Sequence, residues 1–541
     1  MTAQASLVNI VLPEFFQLLL INGLLLYAMT TQAIGSTGPI VSPALGATSL
    51  RSGDPSTNSA LYSGHQLHAV RFNPVLQTEP TVKLAILGLI CSTVLYANSQ
   101  PYVHAYGLIW DDLGRFMSVT LALSASGALG LAVQSNARFG RYEFVLLTWL
   151  SLLGMFCLIK SYSFLALYLS IELQSLSFYM LAAMRSRNEA SAEAGLKYFI
   201  LSAFASAMLL FGMALVYGSI GSTDFADVAL VASTQCSTGA ESLALSLGFG
   251  CIAVSLLFKL GAAPFHAWIA DVYEGSHTSV TAWFALTSKF AVLTGLIRIS
   301  ALTNLNSLLL TSAGLSLVVG SLSAARQVKL KRLLAFSAVA NSGWFLLALG
   351  LGLWQLSVIH LIVYTLLSLT LFGIVLTPLA RTHPGLAYRT RLLKLSVPKE
   401  VAADHGADGG AIKYISDLVQ VHRMNPYLAL GLALSMFSLA GVPPLAGFYS
   451  KYLILNGLAQ NEAYPLLVLS LAVAVLSAFY YLRLVKVGYF GPSSRGGAGA
   501  DYGSFSMKPS PWPAYICSLS CVLGTCWFLK PAYFCSHLTL V

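Results

Sequence analysis

The sequence predicts an all-α polytopic membrane protein of about fourteen transmembrane helices, and three observations carry that prediction. Charged residues make up 9% of the 541 and hydrophobic residues 56%. A water-soluble protein devotes roughly a quarter of its residues to charge, so this chain cannot cover a core with a hydrated surface. Second, apolar stretches near the ~20 residues that a bilayer core demands recur along the whole chain. Third, the basic residues sort to one side of those stretches, as the orientation rule for membrane proteins requires.

In chain order the apolar stretches lie near 10–30, 81–98, 107–133, 143–160, 162–184, 195–219, 243–263, 276–300, 304–324, 331–351, 354–379, 426–459, 463–490 and 511–529. The first thirty residues do not read as a cleaved signal, because Glu14 precedes the apolar run and no small-residue cleavage site follows it, so 10–30 reads as a retained first helix. Two long polar connections, 31–80 and 381–424, interrupt the pattern, and a Gly/Ser-rich stretch, 491–510, reads as a flexible linker before the last helix. The organisation read from this is an N-terminal group of three helices over 1–142, helices 4–8 over 143–300, helices 9–13 over 301–490 with the polar loop 381–424, and a linker with the fourteenth helix over 491–541.

Of the 30 Lys and Arg, 23 fall in or beside connections from odd to even helices, and only Arg115, Lys160, Arg298 and Lys530 fall on the other side. A wrong helix count would scramble this sorting. The net charge of +10 is therefore a topology signal: basic loops face the cytoplasm or its equivalent, and both termini face away from it. No aromatic-basic interleaving supports nucleic-acid binding. The lipid bilayer is the partner that the charge pattern implies.

The eight cysteines follow no zinc or iron–sulfur spacing and read as small apolar helix residues. No phosphate loop or dinucleotide fingerprint is present. Nothing in the chain offers a redox centre, so any transport it performs draws energy from a gradient or from partner subunits.

Three lysines remain inside apolar stretches, Lys259, Lys289 and Lys451, together with one acid, Glu172. Each such charge costs roughly 2.5–3.5 kcal/mol at mid-bilayer, and four cost on the order of 10 kcal/mol before pairing. One lysine at a helix end could snorkel to the interface; four ionisable groups in four separate helices point to a functional interior path. Lys259 precedes Gly261 and Pro264, and Lys451 follows Gly441, Pro443, Pro444 and Gly447. Glycine loosens a helix and proline removes a backbone donor. The seventh and twelfth helices are therefore expected to be broken beside a lysine, the pattern of transporters with inverted repeats. A buried amine responds to the charge of its neighbours, so a row of such groups suits proton transfer. Lysine is a poor metal ligand and no carboxylate cage is present. His360 and Tyr364, one turn apart in the eleventh helix, and His266 after the first break are candidate helpers.

Phe258-Lys-Leu-Gly-Ala-Ala-Pro-Phe-His-Ala-Trp268, Asp271-Val-Tyr-Glu-Gly275 and Thr287-Ser-Lys289 resemble the antiporter-like membrane subunits of NADH:quinone oxidoreductase, respiratory complex I. Ser170-Ile-Glu-Leu-Gln-Ser175, Glu193-Ala-Gly-Leu-Lys-Tyr-Phe199, Arg326-Gln-Val-Lys-Leu-Lys-Arg-Leu-Leu-Ala335 and Leu439-Ala-Gly-Val-Pro-Pro-Leu-Ala-Gly-Phe448 with Lys451 narrow the resemblance to the NADH dehydrogenase subunit 2 group, over about 107–490. The resemblance implies fourteen helices with two inverted five-helix repeats, helices 4–8 and 9–13, and one proton channel. It implies that Glu172 pairs with and modulates Lys259, that Lys289 connects the halves, and that Lys451 lies toward the exit. It implies no cofactor here, with FMN, iron–sulfur clusters and ubiquinone in other subunits of the complex. Membrane-arm and accessory subunits would be the partners, and the mitochondrial inner membrane the location, with basic loops in the matrix and both termini in the intermembrane space. Lys160 sits at a helix edge and receives no role. The polar loops 31–80 and 382–412 depart from the family pattern and are assigned to accessory contacts.

Two other transport readings share the lysine pattern. A subunit of a plastoquinone-reducing chloroplast complex would differ in location, and a subunit of a multisubunit sodium/proton antiporter would depend on sodium. A structural subunit with vestigial charges would tolerate loss of the lysines.

Overall fold

The computed structural model describes residues 12–24, 75–99, 103–105, 107–139, 143–185, 188–234, 239–377, 379–381, 412–419, 421–490, 505–507 and 511–526. Each of the fourteen apolar stretches contains helix. In order they are α1 Leu12–Leu24, α2 Val75–Ala97, α3 Asp112–Phe139, α4 Glu143–Lys160, α5 Phe164–Ala182, α6 Glu189–Ile220, the short α7 Phe225–Thr234, α8 Gly239–Leu260, α9 Ala267–Gly275, α10 Thr278–Leu302, α11 Asn306–Ala325, α12 Leu330–Gly350, α13 Trp354–Leu376, the single turn α14 Val421–Met424, α15 Pro426–Ala440, α16 Ala446–Gln460, α17 Tyr464–Phe490 and α18 Pro511–Cys526. Among the described residues, eleven helices are long and apolar enough to cross a membrane unbroken. The chain is a multi-pass membrane protein.

The same packing scheme occurs twice. In the set α4, α5, α6, α8 and α10, each helix packs on the next and the fifth returns to the first; α11, α12, α13, α15 and α17 repeat the scheme. Glycine brings the first pair of each set together. A Cβ on Gly154 would lie 2.8 Å from the Gln174 nitrogen of α5, and one on Gly320 would lie 2.5 Å from the Ala340 nitrogen of α12. Small residues of this kind let helix backbones approach where lipid supplies no hydrophobic drive. The outer faces of α5, α6 and α17 present large apolar side chains such as Leu169, Met180, Phe204, Val475 and Phe479, as a lipid-facing surface must. At the centre, α10, α12 and α13 are almost enclosed by protein.

The expected breaks in the seventh and twelfth helices are present and built alike. α8 ends at Leu260 and the chain turns through Gly261 at φ +79° before α9. α15 ends at Ala440 and turns through Gly441 at φ +91° before α16. In each case two successive amides close on one carbonyl: Gly261 and Ala262 donate to Leu257, and Gly441 and Val442 donate to Phe437. Such a left-handed terminus favours glycine and satisfies carbonyls that the helix end leaves over.

Several boundaries differ from the sequence expectation. The third apolar stretch, 107–133, opens as a hairpin, with Val103–Ala105 (β1) antiparallel to Leu108–Trp110 (β2). Asp111 then accepts from the Gly114 amide at 2.9 Å, a capping contact that fixes the start of α3. The polar connection 31–80 ends earlier than expected, because α2 already begins at Val75; its residues 31–74 lie outside the described residues. The linker 491–510 contains a strand, Phe505–Met507 (β4), paired antiparallel with Leu379–Arg381 (β3). Part of the polar loop 381–424 is built onto the start of α12, where Leu330 donates to the Lys413 carbonyl at 2.9 Å and Ile415 to that of Val328 at 3.1 Å. Residues 382–411 lie outside the described residues.

Candidate functional site

The four intramembrane ionisable residues fall into two groups. In the first half, Glu172 on α5 has one carboxylate oxygen, Oε2, 3.3 Å from the Ser175 hydroxyl, which also reaches the Glu172 carbonyl at 3.1 Å. The other oxygen, Oε1, is buried without a partner. Lys259, in the last turn of α8, donates from Nζ to Ser202 Oγ of α6 at 2.5 Å. The implied pairing of Glu172 with Lys259 is indirect: the two interact electrostatically but form no direct ion pair. Tyr179, one turn beyond Ser175 on α5, packs its ring edge-on against Tyr198 and Phe199 of α6, with centroids 5.2 and 5.4 Å apart.

The second group lies across α10, α12, α13 and α16. Lys289 of α10 is 4% exposed and donates to the Ala338 carbonyl of α12 at 3.3 Å. Its Nζ lies 4.2 Å from the centre of the Tyr364 ring and 5.6 Å from that of Phe345. An ammonium over an aromatic face gains about 2 kcal/mol when desolvated, which offsets part of its burial cost. Lys451 of α16 is 6% exposed. It reaches back across the second break to donate to the Leu439 carbonyl at 2.5 Å, one of the groups that a helix end leaves unsatisfied. Gly441 leaves room for it: a Cβ there would lie 3.5 Å from Lys451 Cδ. In the first half the matching job falls to Trp268, whose Nε1 donates to the Phe258 carbonyl at 2.9 Å.

His360 of α13 joins the second group. Its Nδ1 is 3.0 Å from the hydroxyl of Ser450, the neighbour of Lys451, while its Nε2 is buried without a partner. Both Lys289 and Lys451 lie within electrostatic range of the imidazole. The structure thus brings Lys289, Tyr364, His360 and Lys451 together. His266, just before α9, has a buried Nδ1 without a hydrogen-bond partner and forms no hydrogen bond or ion pair with any of the four ionisable residues.

Sequence reading missed two features. Ser175 and Ser202 were passed over, although Glu172 and Ser175 are spaced to share one face of α5. Lys160, placed at an edge, is instead 2% exposed and ion-paired with Glu14 of α1, its Nζ 4.4 Å from the Tyr96 ring centre and 5.2 Å from that of Trp110. Arg298, also assigned to a loop side, is buried and binds both carboxylate oxygens of Asp111 at 2.8 and 3.0 Å. Neither partner adjoins its base in sequence, so apolar patterning alone could not reveal them.

At the rim, acids of α9 collect bases from both halves. Asp271 pairs with Lys197 of α6 and Arg332 of α12, each at 3.1 Å, and Glu274 pairs with Arg332 at 3.3 Å and with Lys329.

Paired broken helices around buried lysines define an antiporter-like membrane protein. Residues 161–477 match the family described as NADH:quinone oxidoreductase/Mrp antiporter, TM. The chain is 35% identical over 422 residues to NADH-ubiquinone oxidoreductase chain 2 of Arabidopsis thaliana, covering 75% of this chain and 79% of that one. It superposes with TM-score 0.68 on a chain of respiratory complex I from Thermus thermophilus with bound aureothin, at 30% identity, covering 84% of this chain and 93% of that one. A chain of the Mrp complex from Dietzia sp. shares the fold at TM-score 0.68 and 17% identity, with 86% and 91% covered. The chain belongs to the NADH:quinone oxidoreductase/Mrp antiporter family of membrane proteins, in its NADH-ubiquinone oxidoreductase chain 2 group.

Proposed function

We propose that the chain is a proton-translocating membrane-arm subunit of a respiratory NADH:ubiquinone oxidoreductase, with the redox cofactors and the quinone chemistry in partner subunits. Protons pass along Glu172, Lys259, Lys289, His360 and Lys451, and residues 143–300 and 301–490 form the two repeats that hold this path. The observation that carries the reading is the second-half group. Two lysines and a histidine are buried on facing helices beside a broken helix, at a cost that membrane proteins sustain where charge must move. An amine can give up and regain a proton without rearranging its neighbours' covalent structure, and His360, between two lysines, can take a proton from one side and release it to the other. The plant relative supports placement in the mitochondrial inner membrane, and the basic-residue bias supports matrix-facing loops with both termini in the intermembrane space. The identity to the complex I chain, 30% against 17% for the Mrp chain, supports the redox-coupled reading over sodium/proton antiport.

The test is Lys259→Ala and Lys451→Ala in the assembled complex, with NADH-driven proton pumping measured in membrane vesicles. Both variants should assemble and lose most pumping and coupled quinone reduction. Wild-type pumping in both would overturn the path, and pumping that requires sodium would favour the antiporter reading.

A further inference from the structure

We propose that Asp271 is a positioning residue of the pump: its two ion pairs join the segments that hold Lys259 to the helix that holds Lys289, so that a shift at one lysine is passed to the other. The inference rests on the proton-path reading above and adds a contact that lies off the path itself.

Asp271 has a partner in each half. Its Oδ2 pairs with Lys197 of α6 and its Oδ1 with Arg332 of α12, each at 3.1 Å. Each of the three helices that meet there also helps to hold a buried lysine. α6 carries Ser202, which accepts from Lys259 Nζ at 2.5 Å. α9 carries Trp268, one turn before Asp271, which donates at 2.9 Å to the carbonyl of Phe258, the residue before Lys259. α12 carries the Ala338 carbonyl, which accepts from Lys289 Nζ at 3.3 Å.

The shape of α9 suits it to transmit such a shift. The helix is short, Ala267–Gly275, and sits directly on α6, where a Cβ on Gly275 would lie 2.4 Å from the Ala190 carbonyl oxygen. Its rim end is tied to the start of α12 by charge: Glu274 pairs with Arg332 at 3.3 Å and with Lys329, and Lys331 donates to the Ser276 carbonyl at 3.1 Å. A displacement of α12 therefore moves Asp271, and with it Trp268 and the break beside Lys259. α16, the counterpart of α9 in the second half, contains no Asp or Glu, so the second break lacks an acidic tie of this kind. Asp271 and Arg332 are each more than a third exposed, and exposed ion pairs add little to stability. Their convergence at one carboxylate therefore serves position more than folding.

The test compares Asp271→Asn, Asp271→Glu, Arg332→Gln and the double variant Asp271→Asn with Arg332→Gln, beside Glu193→Gln and Lys259→Ala, all in the complete complex. NADH-driven pumping is read per intact complex, and stability on a native gel after stepwise heating. Asp271→Asn and Arg332→Gln should keep wild-type heat resistance and lower pumping about threefold. The double variant should pump no worse than the weaker single one, because both changes break one contact. Asp271→Glu keeps the charge and should recover most pumping. Glu193→Gln breaks only a pair within α6, to Lys197 at 2.7 Å, and should pump as wild type. If Asp271→Asn fails to assemble, Arg332→Gln and Asp271→Glu carry the test. Losses that add in the double variant, or an equal loss in Glu193→Gln, would overturn the bridge, as would lower heat resistance with unchanged pumping per complex. Wild-type pumping in Asp271→Asn and Arg332→Gln, alongside lost pumping in Lys259→Ala, would overturn the bridge and leave the path standing. Normal pumping in Lys259→Ala would overturn the path and the bridge together.

Discussion

Gly447 offers a sharp test of how the second break positions Lys451. A Cβ added there would lie 1.8 Å from the Ser438 carbonyl oxygen and 2.6 Å from its carbon, against about 3 Å for the closest carbon–oxygen contacts that packed proteins sustain. The obstacle is backbone in the last turn of α15, so no side chain can swing aside. Gly447→Ala therefore forces α15 and α16 apart by about 1 Å, an overpacking cost of about 1–3 kcal/mol. The Gly447 amide also donates to Ser438 Oγ at 3.0 Å, and stretching that bond adds about 1 kcal/mol. The sum, about 2–4 kcal/mol, falls on the junction from which Lys451 reaches the Leu439 carbonyl. Gly431, inside α15, has nothing within 4 Å of a Cβ, and alanine there should stabilise by about 0.5–1 kcal/mol through backbone entropy. The assay is the amount of intact complex on a native gel after stepwise heating, with pumping measured on the survivors. Gly447→Ala should lose complex at lower temperature than wild type and pump less, while Gly431→Ala should match or exceed wild type. Equal stability and pumping in the two variants would refute the reasoning.

Other outcomes follow from the same geometry. Glu14→Gln leaves Lys160 buried without its counter-charge, a change that costs about 3–5 kcal/mol. Adding Lys160→Met should recover most of the assembly on the same heated gel, and equal loss in single and double variants would refute the buried pair. Trp268→Phe keeps an aromatic ring but removes the donor to the Phe258 carbonyl, and should lower the heat resistance of the complex by an amount equivalent to about 1 kcal/mol.

Much of this architecture can be read from residues alone because membrane burial leaves few options. Apolar runs of spanning length must be helices, and the Gly and Pro residues at 261–264 and 441–447 announce the breaks beside Lys259 and Lys451. His360 and Tyr364 were legible from their spacing in an otherwise apolar helix. What stayed hidden depends on distance in sequence. Glu14 meets Lys160 and Asp111 meets Arg298 only after several helices have packed, and Ser202 acquires meaning only when α6 lies against α8. Serines are also common in helices, where they bond to their own preceding turn, as Ser170, Ser316 and Ser342 do here. A serine that serves another residue looks the same in a sequence. The hairpin before α3 escaped because Leu108–Trp110 is as apolar as the helix it precedes.

The second-half group has a property that its residues do not have singly. Among the described residues no carboxylate pairs with Lys289 or Lys451, and their partners are carbonyl oxygens and aromatic faces. Three basic groups thus share one low-dielectric compartment with nothing negative to balance them, and like charges repel strongly there. Filling one place discourages filling the next. On the proposed proton path, the compartment would work as a single-file queue, in which an arriving proton pushes forward the one ahead of it and direction at one end is imposed by occupancy at the other.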